Sequence, residues 1–217
     1  MIFGKIEYLN LLPFHVFMKR FTKGSSAKMS MEYKRGVPAK INVAFHKRRV
    51  DAAFISSISA QRSKHVGLGI IAKKEVQSVL VIPNRIHSRD KESASSNVLA
   101  NILGQRGEVL IGDKALRYAL ANDNYIDLAK EWHKKYNLPF VFALLCYHKE
   151  EKLYKKIERE FLKRKVKIPQ YVLKNASKRT AVKESDILEY LKLISYRVDG
   201  KSKLGLAKFY KEAKKVI

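Results

Sequence analysis

The chain has 217 residues, of which 46% are hydrophobic and 10% aromatic, so it can bury a real core as one large domain or two small lobes. With 45 Lys and Arg against 20 Asp and Glu it carries a formal net charge of +25, which invites a nucleic-acid reading. The excess is spread, however: residues 149–217 hold 21 Lys/Arg and 9 Asp/Glu, residues 1–148 hold 24 and 11, and no binding tail, zinc finger or RNA-binding sheet motif appears. No nucleic-acid partner is expected.

In chain order, residues 2–6 read as a strand and 11–21 as a helix, with Asn10 between them and Pro13 in the first turn. Asn is a good helix cap and Pro is tolerated early in a helix. Asn10 nevertheless stands among apolar neighbours, IEYLNLLPF, where a surface turn would be rich in Gly and Ser. It either caps a helix or reads a ligand in a closed cleft. Residues 28–34 follow as a strand and 37–47 as a helix, joined by Gly36-Val37-Pro38, in which Gly permits a tight turn and Pro starts the helix. Residues 51–55 form a strand that ends in Ser56-Ser57. Ser57 is expected to cap the short helix 57–63, and Ser56 to face the carboxyl edge of the sheet, where open α/β sheets bind ligands. Residues 67–72 are a further strand. This alternation predicts an α/β protein with a largely parallel sheet.

The apolar run 78–82 leads into a polar stretch that contains Ser95, Ser96 and Asn97, and then into a helix over 97–103. A strand (108–111) ends in Gly112-Asp113 before a helix over 114–121, and another helix covers 127–136. The apolar run 140–147 precedes helices at about 149–165, 169–176, 184–194 and 203–215. Runs 78–82 and 140–147 bracket a small α/β unit and are long enough to cross between lobes. The expected architecture is one lobe from residues 1–78 and 143–217, a second from 79–142, and a ligand cleft between them.

Each polar junction taken alone reads as a helix cap. Together, on one side of the sheets, Ser, Asn and N–H donors suit carboxylates without a buried salt bridge. No nucleophile elbow, phosphate loop or dinucleotide fingerprint is present, and the six His are scattered without metal-ligand spacing. No metal or cofactor is expected. His46 and His133 are expected to be exposed, while His15 is one turn after Pro13. The lone Cys146, in the apolar run VFALLCY, is expected in a buried strand. No apolar run reaches membrane-span length, and the start MIFGKIEYLN has no export-signal pattern, so a cytoplasmic protein is expected. The residues alone lead to a binder of a small anion, either receptor or enzyme.

Seven segments carry a resemblance: GKIEYLNLLPF at 4–14, GVPAKIN at 36–42, VDAAFISSI at 50–58, QSVLVIP at 77–83, SASSNVL at 93–99, LIGDKAL at 110–116 and DLAKEWHKKYNLPFVFA at 127–143. In content, order and spacing they resemble the chorismate dehydratase family of the futalosine route to menaquinone. Leu144 stands where members often carry Trp. The resemblance implies a two-lobed fold of the type II periplasmic-binding-protein kind, without an export signal. It also implies loss of water from the small-molecule substrate chorismate to give 3-[(1-carboxyvinyl)oxy]benzoate. On this reading Asn10 and Ser57 orient the carboxylates and leaving group, with Gly36, Val37, Pro38, Ser56, Ser95, Ser96, Asn97, Gly112 and Asp113 around the substrate. The substrate's own enolpyruvyl carboxylate takes the C3 proton; a buried water or Asp113 is the competing base. A non-catalytic receptor for an aromatic acid is the rival reading.

Overall fold

The computed structural model describes residues 1–23, 31–83, 86–163 and 165–216. The apolar run at the start forms β1 (Ile2–Lys5), followed by a single 3-10 turn (Leu9–Leu11) and α1 (Leu12–Lys23). Then come β2 (Glu32–Arg35), α2 (Pro38–His46), β3 (Ala52–Ser56), α3 (Ser57–Ala60) and β4 (His65–Ala72). Of the strand expected over 28–34, residues 28–30 lie outside the described residues. The middle of the chain folds as β5 (Val79–Ile82), α4 (Ala94–Ile102), β6 (Glu108–Ile111), α5 (Gly112–Ala121), β7 (Ile126–Asp127) and α6 (Leu128–Tyr136). It ends with β8 (Phe140–Tyr147), α7 (Glu151–Lys163), α8 (Gln170–Thr180), α9 (Glu184–Leu193), β9 (Ile194–Arg197) and α10 (Gly200–Ala213).

Two sheets result. The larger has the order β2-β1-β3-β8-β4-β9 and the smaller the order β6-β5-β7. The larger sheet is not largely parallel, as the alternation of elements predicted. Only β1 pairs in parallel, with β2 and β3, whereas β8 runs antiparallel to both β3 and β4, and β9 antiparallel to β4. The reason lies in where the chain crosses. It leaves the large sheet at Ala72 and returns at Phe140, and these two residues pair. Leaving and returning at one edge forces β8 to run back against the strands it joins. The connections between sheets therefore lie in 73–78 and 137–139, just before the two apolar runs. β9 was not expected, since residues 184–194 read as one helix. Its four residues become a strand because β4 offers an open edge.

The core is continuous through both sheets. Phe14 of α1 packs edge-on against Phe54 of β3 and Phe161 of α7, with centroids 4.9 and 5.4 Å apart. On the side towards the small sheet, Trp132, Phe140 and Phe209 form a second aromatic group. Such pairs contribute about 0.5–1.5 kcal/mol each beyond their burial. α2 lies so close to the sheet that a Cβ on Gly4 would stand 2.8 Å from both Ala53 and Ile41. Thus the carboxyl ends of β1, β3 and β4 and the first turns of α2, α4 and α5 are held at one edge.

Candidate functional site

A cavity opens at that edge. Its apolar walls include Phe54, Ile70, Val79, Ile111 and Phe142. Its polar surface comes from Tyr8, Asn10, Ser56, Ser78, Ser93 and Ser96. Among the described residues, none that lines it is charged.

The Asn10 turn is the first surprise. Asn10 lies inside the 3-10 turn, whose cap position is Tyr8, and no side chain of the turn makes a capping bond. Of the two roles left open for Asn10, capping is not the one it plays: the first N–H of the turn, that of Leu9, donates instead to the Asp113 carboxylate of α5 at 2.9 Å. Asn10 is left with its side chain at the cavity, while its carbonyl accepts from Tyr196 at 2.7 Å. It also stabilises the phenol oxygen of fully buried Tyr190, whose hydroxyl donates to Ser78 at 2.9 Å. Burial raises the Tyr190 phenol above its ordinary range, so it stays neutral.

The second wall belongs to Ser56. Asn42 holds it from both sides, donating to its hydroxyl oxygen at 2.9 Å and accepting from its N–H at 3.2 Å. Ser56 keeps its own proton to donate into the cavity. Ser57, expected to act there, does not line the cavity: its hydroxyl donates to the Val141 carbonyl and the residue is completely buried. Consecutive residues at the strand end face opposite ways, and β8 lies on the Ser57 side.

α4 starts at Ala94, three residues earlier than expected, so Ser95, Ser96 and Asn97 belong to its first turn. Ser93 is its cap and accepts from the Ser96 N–H at 3.2 Å, while its hydroxyl donates to that of Ser96 at 2.8 Å. Ser93 and Ser96 line the cavity. Ser95 does not. Its hydroxyl accepts from Ile58 N–H at 3.0 Å and so caps α3 from the opposite sheet. Asn97 also stays outside, bonded to both the N–H and the carbonyl of Asp90. Of the Gly36-Val37-Pro38 junction only Pro38 lines the cavity, and Gly36 spends its N–H on the Lys5 carbonyl.

Gly112 begins α5 with φ +66°, and a Cβ there would stand under 3 Å from the Tyr8 ring. Only Gly lets Tyr8 lie flat on this helix start. The Tyr8 hydroxyl donates to Glu92, so one side chain spans the two walls. Asp113 points away, towards Leu9 N–H and Arg179, the latter at 3.1 Å. Burial raises its carboxyl above the usual carboxylate range, against the Leu9 bond and Arg179, which lower it. It is not placed as a base in the cavity.

The N-terminal ends of α2, α4 and α5 meet at the cavity through Pro38, Ser93 and Gly112. Each helix start carries roughly half a positive charge, so an uncharged cavity acquires a field that favours anions. Sequence reasoning missed Tyr8, Ser78, Ser93 and the Asn42 clamp. All four stand within segments already singled out, Tyr8 in 4–14, Asn42 in 36–42, Ser78 in 77–83 and Ser93 in 93–99, but nothing local marks which residue of each segment meets the cavity.

The histidines stay outside. His15 bonds the Ile6 carbonyl at 2.8 Å, and burial pulls it down to about 4. His46 is exposed, but His133 is half-buried with a buried Nδ1, contrary to the expected exposure. Cys146 is buried in β8, its thiol pushed up to about 12. Among the described residues no group of three or more His, Cys, Asp or Glu could hold a metal ion, and no helix is long and apolar enough to cross a membrane.

Residues 92–215 match the model of a family described as menaquinone biosynthesis. Over 99% of its length the chain is 46% identical to a chorismate dehydratase of Campylobacter jejuni subsp. jejuni, covering 98% of that protein. Among solved structures it superposes on an Archaeoglobus fulgidus protein with a TM-score of 0.74 at 13% identity, covering 99% of this chain and 96% of that one. It also superposes on the alkanesulfonate-binding protein SsuA of Xanthomonas axonopodis pv. citri (TM-score 0.56, 8% identity, 100% and 94% covered). A Candida albicans protein with the generic periplasmic binding protein fold gives 0.52 at 13% identity, with 99% and 90% covered. The fold is thus of the periplasmic-binding-protein kind, with the cavity between its two sheets, and the chain belongs to the chorismate dehydratase family of menaquinone biosynthesis.

Proposed function

We propose that the protein is a chorismate dehydratase, a hydro-lyase that removes water from chorismate to give 3-[(1-carboxyvinyl)oxy]benzoate on the futalosine route. One observation carries the reading beside the family: a cavity with no charged lining residue where three helix starts, an amide and hydroxyls converge. Such a site suits a dianion that must react without being locked into ion pairs. We read the chain as two lobes, residues 1–78 with 140–217 and residues 79–139, the expected boundary at 143 moving to 140 because Phe140 already pairs in the large sheet, and the enzyme as cytoplasmic.

In the reaction the C3 hydrogen and the C4 hydroxyl leave as water and the ring becomes aromatic, which supplies much of the driving force. The pocket has to hold the ring, bind both carboxylates and stabilise the departing oxygen. Among the described residues no carboxylate or imidazole lines the cavity. The enolpyruvyl carboxylate of the substrate is therefore the base that takes the C3 proton. The Asn10 amide donates to a carboxylate or to the leaving oxygen. Ser56 takes the place foreseen for Ser57 on one wall, and Ser93 with Ser96 faces it from the other. Asp113 positions: it caps the Asn10 turn from the second wall, so the turn is complete only when the walls meet.

The test is direct. Pure protein incubated with chorismate is followed by mass spectrometry, and the product should appear with the loss of one water per substrate. Binding of chorismate without turnover would instead make the protein a receptor.

A further inference from the structure

A second concavity lies against the cavity and shares Tyr8 with it. It is a groove between α1 and α8, closed at one end by the β1 and β2 strand ends. Where the cavity has no charge, the groove has four cations, Lys5, Lys19, Arg35 and Arg179. They face one lining carboxylate, Glu7, which Lys5 and Arg35 approach to 3.1 and 3.7 Å. Arg179 reaches Asp113 behind the groove wall, and the Lys19 ammonium lies 5.7 Å from the centre of the Tyr171 ring. The two guanidinium groups remain in water: the Arg35 side chain is 70% exposed and that of Arg179 is 44% exposed.

Tyr8 is the shared wall. Its ring lies on the start of α5 at Gly112, and its hydroxyl is held by Glu92 at the foot of α4. Breaking that one bond and rotating the side chain would join groove and cavity, because both are lined by the same ring. We infer that the α1–α8 groove is the route by which the substrate reaches the cavity, its cations drawing the dianion in and Tyr8, latched to Glu92, gating the entrance. The physical division is consistent. Exposed charge raises the encounter rate of an oppositely charged ligand, whereas charge inside the cavity would hold it too firmly to react. Lobe or side-chain gating of this kind commonly sets binding and release rates. The inference rests on the proposal that chorismate is the substrate.

A second basic groove provides the control. It is lined by Lys73, Lys74, Lys130, Lys134 and Lys192, and none of its residues lines the cavity. Association of chorismate is measured by stopped-flow quenching of intrinsic protein fluorescence over a range of salt concentrations. The wild type is compared with Lys19→Ala/Arg35→Ala and with Lys74→Ala/Lys134→Ala, each of which removes two positive charges. The first pair should lower the association rate constant at low salt by roughly three- to tenfold and flatten its salt dependence, since screening acts over about 10 Å at 0.1 M. The second pair should change either quantity by less than about half as much. Equal effects of the two pairs would mean that net charge alone is felt, and no effect of the first pair would remove the route; either result overturns the inference. In the same samples Tyr8→Phe, which cannot bond Glu92, should speed both association and release. A slower or unchanged release would overturn the gate. Turnover of chorismate by the wild type, read separately by mass spectrometry, tells a failure of this inference from a failure of the functional reading.

Discussion

The cavity and the groove beside it touch the same tyrosine and are made of opposite materials. One shows amide, hydroxyls and helix starts and has no charged lining residue; the other shows Lys and Arg in water. The difference teaches where charge is useful. In a closed site a fixed cation would face a steep desolvation cost and would stabilise bound substrate as much as transition state, whereas preorganised dipoles can be aimed at charge that develops during reaction. In water a cation carries little affinity and much encounter rate.

The largest effect should come from breaking this contrast at its centre. Asn10→Asp puts a negative charge into the uncharged cavity, opposite a dianion. Losing the amide's bond to buried Tyr190 and placing a charge in the cavity should lower the melting temperature, so turnover is read on the folded protein. Steady-state kinetics should show kcat/KM lower by about a hundredfold or more, as for loss of one well-placed donor. Normal turnover by this variant would end the ligand-reading role of Asn10.

A smaller effect sharpens the comparison between two adjacent serines. Ser56→Ala removes a hydroxyl whose proton is available to the cavity, and a bond to a carboxylate contributes about 1.5–3 kcal/mol. KM should rise about tenfold, and the melting temperature should fall as well, because the buried Asn42 amide loses the oxygen it donates to. Ser57→Ala should cost stability alone: leaving the Val141 carbonyl without its partner costs about 1–3 kcal/mol, with KM close to wild type. A KM increase in Ser57→Ala larger than in Ser56→Ala would refute this division.

Asp113 stands on the border between the two regions. Asp113→Asn keeps an oxygen for Leu9 N–H but loses the pairing with Arg179. A neutral acceptor in place of a charged one is worth about 1 kcal/mol less, so kcat/KM should fall only about fivefold, and further in Asp113→Ala. If Asp113 were the base, Asn and Ala would abolish turnover alike.

The smallest change concerns pH. His15, against the groove, is depressed to about 4 by burial, whereas an unfolded chain would take up its proton near 6.5. Its neutral form is the one the fold accepts. Its contribution to stability is therefore complete above about pH 6.5 and is lost as the pH falls towards 4. Thermal melts between pH 4 and 7 should show this decline, and His15→Gln should flatten it.

Much of the fold was legible because it is written locally. Periodicity located most helices and strands, and Gly, Pro, Ser and Asn marked the junctions at which the cavity opens. Boundaries slipped by one turn at Ser95-Ser96-Asn97 and at Gly112-Asp113, where good cap residues stand next to each other and any of them could begin the helix. The strand Ile194–Arg197 was hidden by the helical pattern before it, since a four-residue strand owes its state to its neighbour.

What the sequence by itself determined is most of the elements, the polar junctions between them and the family, for these depend on residues close in the chain and on motifs kept in order. Tertiary structure alone decided how those junctions are used. It set β8 against β3 and β4, because the chain leaves and re-enters the large sheet at one edge. It turned Ser56 to the cavity and Ser57 to Val141. It freed Asn10 from capping by bringing Asp113, 104 residues away, to the N–H of Leu9. A hydrogen bond depends on distance in space, and no local pattern records which distant group will arrive.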